Sequence, residues 1–408
     1  MRKTILFIFL SFAFLTAKSQ EIAFSDSLKI SLLTCSPGSE IYAKFGHSGL
    51  RVIDYKNKYD LVFNWGLFSF QTENFYFKFI AGKTDYMLGV HNTEDFLVEY
   101  KERNSVVWEH VLNFNKQEKM KLISILMTNY KPENRMYRYN FVFDNCATRP
   151  RDLIINSVDG HILFQSTYES KTFRQSIENY VNTSTWPGFG IDIIFGIKSD
   201  RNMPQLESMF LPEVLKYEAM SAQISNVNQN SKRPLILETN TLVTNIYTPE
   251  EQLSFADQPF YVFSAILIFI LLLSVYEVTL DKPHNTIFDS ILLLLTGLGG
   301  VIVFYLMFFS LHPLVKYNFN ILWLNPLNII AAFLIWSKKL RIVMFFYQLV
   351  NFSLLILALV AVALSMQLFN QSTFIIIAIL LFRYSTWIYR TKKKIVRKKK
   401  FQQNVKQS

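Results

Sequence analysis

Cysteine is almost absent, with two in 408 residues, Cys35 and Cys146. Two cysteines cannot build a disulfide framework, and no Cys/His cluster has the spacing of a zinc site, so no metal is expected. No glycine-rich loop follows a strand in the manner of a phosphate-binding turn, nothing repeats internally, and no cofactor is called for. Charged residues make up only 18% of the chain, and acid is missing altogether from Arg390 onward, where nine of the lysines and arginines lie. Setting those nine aside from the net charge of +11 leaves the remainder near neutral. That distribution excludes an extended basic surface for nucleic acid. The tail, 390–408, reads instead as a topology signal that meets anionic lipid and stays in the cytoplasm.

Apolar residues are plentiful, at 50% with 38 phenylalanines. Residues 1–19 have the three parts of a secretory signal: Arg2 and Lys3, an apolar run from Thr4 to Ala17, and a small-residue cleavage site before Gln20. An uncleaved anchor is the other reading. Both cysteines then lie in an exported segment, where a Cys35–Cys146 disulfide is a plain structural alternative to any reactive role.

Residues 20–222 read as one α+β domain with a small antiparallel sheet and flanking helices. Strands are expected at Leu28 to Cys35, Gly46 to Val52 and Tyr59 to Gly66, the last two forming a hairpin about Lys56-Asn57-Lys58. A short helix is expected at Glu40 to Phe45, a helical piece at Glu73 to Ala81, and a strand at Asp85 to Val90. Asn115 and Glu118 have capping-box spacing ahead of the apolar face of Met120, Leu122, Ile123, Leu126 and Met127. Residues 223–258, rich in Asn, Ser, Thr and Gln, read as a polar connector with one strand at Leu242 to Tyr247.

Residues 259–389 read as an all-α bundle of about five transmembrane helices: Pro259 to Leu280, Ile287 to Leu311, Ile321 to Trp336, Val343 to Met366 and Thr373 to Tyr389. With the domain exported, an odd number of spans puts Lys282, Lys338, Lys339, Arg341 and the basic tail inside, and only Lys316 in the outer loops. Positive-inside bias and export therefore agree. The expected location is a bacterial inner membrane, with the domain in the periplasm. Gly297, Gly299 and Gly300 in the second span suit close helix packing, and Arg383 in the last either snorkels or faces the bundle.

The reactive candidate is Cys146. An aromatic extended run (Tyr137, Tyr139, Phe141, Phe143) ends at Asp144-Asn145-Cys146, after which the pattern turns helical. Unpaired N–H groups at a helix start favour thiolate. A thiolate nucleophile needs a base. His91, His110 and His161 sit in ordinary edge, strand and loop settings, whereas His47 lies on a strand between small residues in Gly46-His47-Ser48-Gly49, with room for a facing helix.

A strand histidine followed about a hundred residues later by a helix-start cysteine is similar to the order in permuted papain-like proteins, of the NlpC/P60 or lecithin:retinol acyltransferase-like kind. Fuller signatures are Thr34-Cys35-Ser36-Pro37-Gly38, Phe45-Gly46-His47-Ser48, Arg51-Val52, Asn64-Trp65-Gly66 and Asp144-Asn145-Cys146-Ala147-Thr148-Arg149. With these the exported part resembles the periplasmic domain of the Lnb-type lipoprotein N-acyltransferases, a family that also carries a C-terminal membrane bundle. The resemblance implies a phospholipid acyl donor, a lipoprotein acceptor and a lipid bilayer as partners, with the acyl chain passing to the α-amino group of the lipoprotein's lipidated N-terminal cysteine. In that scheme Cys146 attacks the ester, His47 moves the protons, Asn64 on the neighbouring strand orients the imidazole with Asp54 as the other choice, and Asn145 or the Cys146 N–H meets the oxyanion.

Arg149 and Arg151 are candidates to grip a phosphate head group, against ion pairing with Asp144 or Asp152. On the outer face His312, Lys316, Asn318, Asn320 and Asn325 are candidates for a second head-group site, against a merely solvated loop. A periplasmic cysteine peptidase or amidase is the alternative enzyme, since the same Cys–His pair hydrolyses when water takes the acyl group. A sensor or assembly factor with an oxidised cysteine pair is the non-enzymatic one.

Overall fold

The computed structural model describes residues 22–40, 43–165, 171–226, 231–244, 253–282 and 285–407, with side chains described to Arg397. The signal segment lies outside the described residues, as does part of the helix expected at Glu40 to Phe45. The strands are β1 (Leu28–Cys35), β2 (His47–Asp54), β3 (Tyr59–Leu67), β4 (Asp85–Asn92), β5 (Val107–Leu112), β6 (Met136–Arg138), β7 (His161–Leu163), β8 (Gln223–Asn226), β9 (Ser231–Pro234) and β10 (Ile236–Val243). The helices of the domain are α1 (Phe75–Ile80), α2 (Thr93–Glu102), α3 (Lys116–Tyr130), α4 (Thr148–Ser157), α5 (Phe173–Glu178), α6 (Trp186–Ile194), α7 (Gln205–Ser208) and α8 (Pro212–Ser221). Those that follow are α9 (Pro259–Thr279), α10 (Thr286–Phe309), α11 (Asn328–Leu334), α12 (Arg341–Ala363) and α13 (Gln371–Gln407).

The domain is α+β, but its sheet is larger than the sequence suggests: seven strands in the order β10-β5-β1-β2-β3-β4-β6. The seventh strand, β10, comes from the stretch read as a polar connector, and it pairs with β5 from Ile236↔Leu112 to Val243↔Val107. Of the strand expected at Leu242 to Tyr247 it takes in Leu242 and Val243, while 245–247 lie outside the described residues; composition hid the rest because an edge strand keeps one side in water and is free to be polar. The remaining connector strands, β8 and β9, form a small second sheet with β7.

Strand periodicity sorts the core onto two faces. Ile30, Leu32, Leu50, Val52, Phe63 and Trp65 pack against Leu122, Ile123 and Leu126 of α3 and Leu153 and Ile154 of α4. Leu33, Cys35, Val62 and Val107 pack on the other face against Phe96 and Tyr100 of α2. Helix α3 starts where its capping box predicts, with Asn115 accepting from the Glu118 N–H at 2.9 Å and Glu118 accepting from the Asn115 N–H at 2.8 Å. Glu118 is also buried against Arg233 from β9, which ties the small sheet to the domain.

Among the described residues, four helices are long and apolar enough to cross a membrane: α9, α10, α12 and the Gln371–Arg397 part of α13. The third apolar segment is not a span-length helix, which corrects the expectation for Ile321 to Trp336. It is a 3₁₀ turn (Phe319–Leu322), an irregular stretch through Asn325-Pro326, and the two-turn α11. It still runs antiparallel beside α10 over most of that helix. The Asn318 N–H meets Met307 at one end, and Ser290 donates to the Ala332 carbonyl at the other. Seventeen residues of α10 separate those contacts, about 25 Å at 1.5 Å per residue.

The glycines make that approach possible. A Cβ on Gly300 would lie 2.3 Å from the Leu324 carbonyl oxygen, and one on Gly297 would lie 2.5 Å from the Ile329 nitrogen. The polar groups of the irregular stretch find partners inside the bundle, as backbone and amides must in an apolar medium. Asn328 donates to Thr296 at 3.0 Å and accepts from Tyr347 at 2.6 Å, and Asn325 donates to Asn351 at 3.1 Å. Arg383 faces the bundle, fully buried between Glu277 and Asp289.

Candidate active site

His47 opens β2, and the residue before it has to be glycine. Gly46 has φ +73°, and a Cβ there would lie 2.6 Å from the Cys35 carbonyl oxygen. From this start His47 stands opposite Cys35 in the β1–β2 register, while two residues on Gly49 stands opposite Asn64 in the β2–β3 register. The diagonal across the hairpin brings His47 Nε2 to 2.6 Å from Asn64 Oδ1. Asn64 is buried. With Oδ1 facing the ring, Nε2 carries a proton and donates, so Nδ1 is the nitrogen left for Cys146.

Cys146 reaches this position through a loop organised by its neighbour. Asn140 and Asp144 close a turn by exchanging backbone hydrogen bonds of 3.0 and 2.9 Å, so the aromatic run leaves the sheet after β6 rather than continuing as a strand to Phe143. Asn145 Oδ1 then accepts from the N–H groups of Ala147 and Thr148, both at 2.9 Å, which caps the start of α4. Cys146 therefore sits two residues before the first helical residue, beside the capped start of α4.

The side chains of His47 and Cys146 are hydrogen-bonded to each other. Burial opposes charge on the thiol. The charge and hydrogen bond of His47, helped by the backbone N–H groups of Ser48 and Cys146, outweigh it and hold the Cys146 thiol below its ordinary range. On His47 burial likewise favours the neutral ring, but the Cys146 charge and the hydrogen bonds to Cys146 and Asn64 raise its pKa above the ordinary histidine value. The two shifts agree in sense: each favours the thiolate and imidazolium form of the pair. Gly66 covers it with φ +98°, where a Cβ would lie 3.8 Å from His47 Cε1 and 3.9 Å from Cys146 Cβ.

Cys35 and Cys146 are both free, so the disulfide alternative does not describe this fold. Cys35 is buried among Leu33, Phe96 and Tyr100. Burial pushes its thiol far up, beyond the hydrogen bond with Tyr100 that pulls the other way. One cysteine is therefore inert by environment and the other activated by environment.

Several residues singled out from the sequence are occupied elsewhere. Asn145 Nδ2 donates to the carbonyls of Phe141 at 2.7 Å and Phe210 at 2.8 Å, leaving no amide hydrogen for an oxyanion. Asp54 lies at the far end of β2, where it accepts from Ser25 and from the N–H groups of Lys56 and Asn57. Arg149 is forked onto Asp144 at 2.5 and 2.8 Å and stacked 3.7 Å from the Tyr137 ring centroid. Arg151 is buried, paired with Asp152 and donating to the Leu206 carbonyl. Ion pairing, rather than a free phosphate grip, is what the fold gives both arginines.

The outer-face group is a joint between domain and bundle rather than an open head-group site. His312 Nε2 lies 2.7 Å from the Phe79 carbonyl. Lys316 donates to the carbonyls of Met307 and Ser310 at the end of α10. Asn318 and Asn320 both donate to the Ile193 carbonyl at the end of α6. Asn325 lies deeper, on Asn351.

Sequence reasoning missed three contributors to the site. They are the Ser48 N–H, the gap at Gly66, and the Tyr137 hydroxyl, which is buried with no hydrogen-bond partner and close enough to Cys146 to feel its charge. A buried phenol without a partner in a tyrosine-rich run was the available signal for the last.

Residues 16–179 match the model of the Lnb N-terminal periplasmic domain, and residues 250–395 match the model of the Lnb transmembrane domain. Among the curated proteins and the solved structures, none matches the chain.

Proposed function

The chain belongs to the Lnb family in both of its domains, and from that premise we propose that it moves an acyl chain from a phospholipid, through a thioester on Cys146, to the α-amino group of a lipoprotein's lipidated N-terminal cysteine. The observation that carries the reading is the buried Asn64–His47–Cys146 arrangement, a hydrogen-bonded pair whose surroundings favour thiolate and imidazolium, in a domain fixed to a membrane bundle.

In the first half-reaction the Cys146 thiolate adds to the ester carbonyl, and the new C–S bond places negative charge on the carbonyl oxygen. The Ser48 and Cys146 N–H groups, which reach the thiol, and the unpartnered Tyr137 hydroxyl are the donors available for that charge; one such donor is worth about 3 kcal/mol in acyl transfer. As the C–O bond breaks, the His47 imidazolium gives its Nδ1 proton to the departing lysophospholipid oxygen. His47 is then neutral and is the base for the second half. It takes a proton from the incoming amine as nitrogen adds to the thioester, and breaking the C–S bond returns the thiolate and leaves an amide. Asn64 holds the ring for both transfers, and the charge on His47 never leaves the pair except to the reacting groups.

Location fits this chemistry. The domain joins one end of the bundle through Ser310 to Asn320, whereas Lys282, Lys338, Lys339, Arg341 and the basic run of α13 lie at the opposite end. With the broken third segment counted as a crossing, the positive-inside bias supports a periplasmic domain and a cytoplasmic C-terminus.

The test is Cys146→Ala in full-length protein. Lipoproteins from cells carrying only this variant are expected to keep a free α-amino group by mass spectrometry, while wild type incubated with labelled phospholipid gives a hydroxylamine-sensitive adduct on Cys146. Full N-acylation by a stably inserted variant would refute the nucleophile. An adduct formed from peptidoglycan fragments, with none from phospholipid, would replace this reading by an envelope amidase.

A further inference from the structure

The domain carries a second, unexplained apolar feature around α1. This helix has six residues, of which only Phe75 is buried. Tyr76 is 70% exposed and Phe77 76% exposed, and Phe79, Ile80 and nearby Phe70 are also exposed. A surface patch of this kind marks a contact with something apolar.

Its position identifies the partner. The Leu311 N–H donates to the Ala81 carbonyl at 2.9 Å and Ser310 Oγ to the Ile80 carbonyl at 2.8 Å, so the end of α1 is bonded to the end of α10. Gly82 lets the two chains touch: with φ +65°, a Cβ there would lie 3.1 Å from the His312 nitrogen. Phe308, Phe309 and Leu311 at this end of α10 are themselves exposed, so the patch on α1 continues the lipid-facing surface of a span. Lys78 and Lys83 flank it, exposed, as cations do beside an interfacial apolar face.

We propose that α1 and Phe70 enter the outer-leaflet interface of the bilayer, as a membrane contact of the domain separate from the spans. A series of ring contacts runs from this element to Tyr139, near the reactive cysteine. Phe79 meets His312 at 6.0 Å and Phe75 at 6.1 Å, Phe75 stacks on Phe68 at 5.7 Å, Phe68 on Tyr86 at 5.0 Å, and Tyr86 on Tyr139 at 4.1 Å. Tyr139 in turn lies close enough to Cys146 to feel its charge. Close-packed rings transmit position stiffly, so the depth of α1 sets the height of Cys146 above the leaflet. That height matters only on the acyl-transfer reading above, whereas the contact itself does not depend on it.

Full-length protein in phosphatidylethanolamine/phosphatidylglycerol liposomes tests both parts. The emission added by Phe77→Trp is expected to be quenched by brominated phospholipid, and that added by Tyr55→Trp, at the exposed β2–β3 turn, is not. Phe77→Trp emission quenched no more than that of Tyr55→Trp overturns the contact. In Tyr76→Glu/Phe77→Glu, acyl transfer from bilayer phospholipid should fall at least tenfold while alkylation of Cys146 by iodoacetamide keeps its rate. Transfer at the wild-type rate refutes the positioning role. If alkylation falls as well, the double variant has disturbed the site, and Tyr76→Ser, which removes the ring without adding charge, is expected to lower transfer alone. Quenching of Phe77→Trp in a protein that never forms a thioester would leave the contact standing and remove the acyl-transfer reading.

Discussion

Replacing Asn64 isolates what the asparagine does for His47. In Asn64→Ala the imidazolium loses a buried 2.6 Å hydrogen bond from Nε2. A hydrogen bond to a charged group contributes about 1.5–3 kcal/mol, more than one to the neutral ring, so the variant should be destabilised by about that much while the ring is charged, and the His47 pKa should fall. The sign follows from the direction of the native shift. His47 is raised above the ordinary histidine value, so the imidazolium and the stability it lends persist at low pH and are lost as pH rises through that raised pKa. Thioester formation needs the imidazolium as proton donor, so the alkaline limb of its pH–rate profile should move to lower pH in Asn64→Ala. In Asn64→Asp the limb should move up, because a carboxylate favours the charged ring. The assay is single-turnover acylation of full-length protein in liposomes from pH 5 to 10, with thermal unfolding as a check on folding. Profiles that stay in place, or that move the same way in both variants, would refute the orienting role of Asn64.

The other predictions concern the two remaining kinds of buried group. Cys35→Ala should keep acyl transfer within about threefold of wild type, and iodoacetamide at pH 8 should label only Cys146 in the folded protein, read by intact mass; labelling of Cys35 first would reverse the assignment of inert and reactive thiol. Arg383→Met removes the cation between Glu277 and Asp289. Breaking a buried pair costs about 3–5 kcal/mol, so detergent-solubilised protein should lose thermal stability sharply, and Arg383→Lys should recover part of it; an unchanged melting temperature would show that the bundle does not rely on that cluster.

Much of the architecture was legible because it follows from solvent preference and short-range rules. Apolar length marked α9, α10 and α12 to within a few residues and the start but not the end of α13, small residues marked the packing face of the second, and a capping box marked the start of α3. The third segment misled because apolar content alone measures how far a chain can go through lipid, not whether it goes as a helix. Asn325, Pro326 and Asn328 interrupt it, and only the neighbouring Thr296, Tyr347 and Asn351 make that interruption tolerable. Strand β10 misled in the opposite direction, since a polar edge strand is recognisable only by the strand it pairs with.

The sequence by itself determined that the chain has an exported α+β domain and a membrane bundle, that Cys146 follows a turn at a helix start, and that a strand histidine lies upstream. These are local or compositional properties, set by period, caps and hydropathy. Only the tertiary structure decided which polar side chains remain available, because partners are chosen across long separations. His47 meets Asn64 across a hairpin and Cys146 across a hundred residues, while Asn145, Arg149, Arg151 and Asn318, equally suitable by type, are held by Phe210, Asp144, Leu206 and Ile193. Surroundings separate the two thiols as well: both are enclosed, and only the one with an imidazole beside it has its pKa lowered.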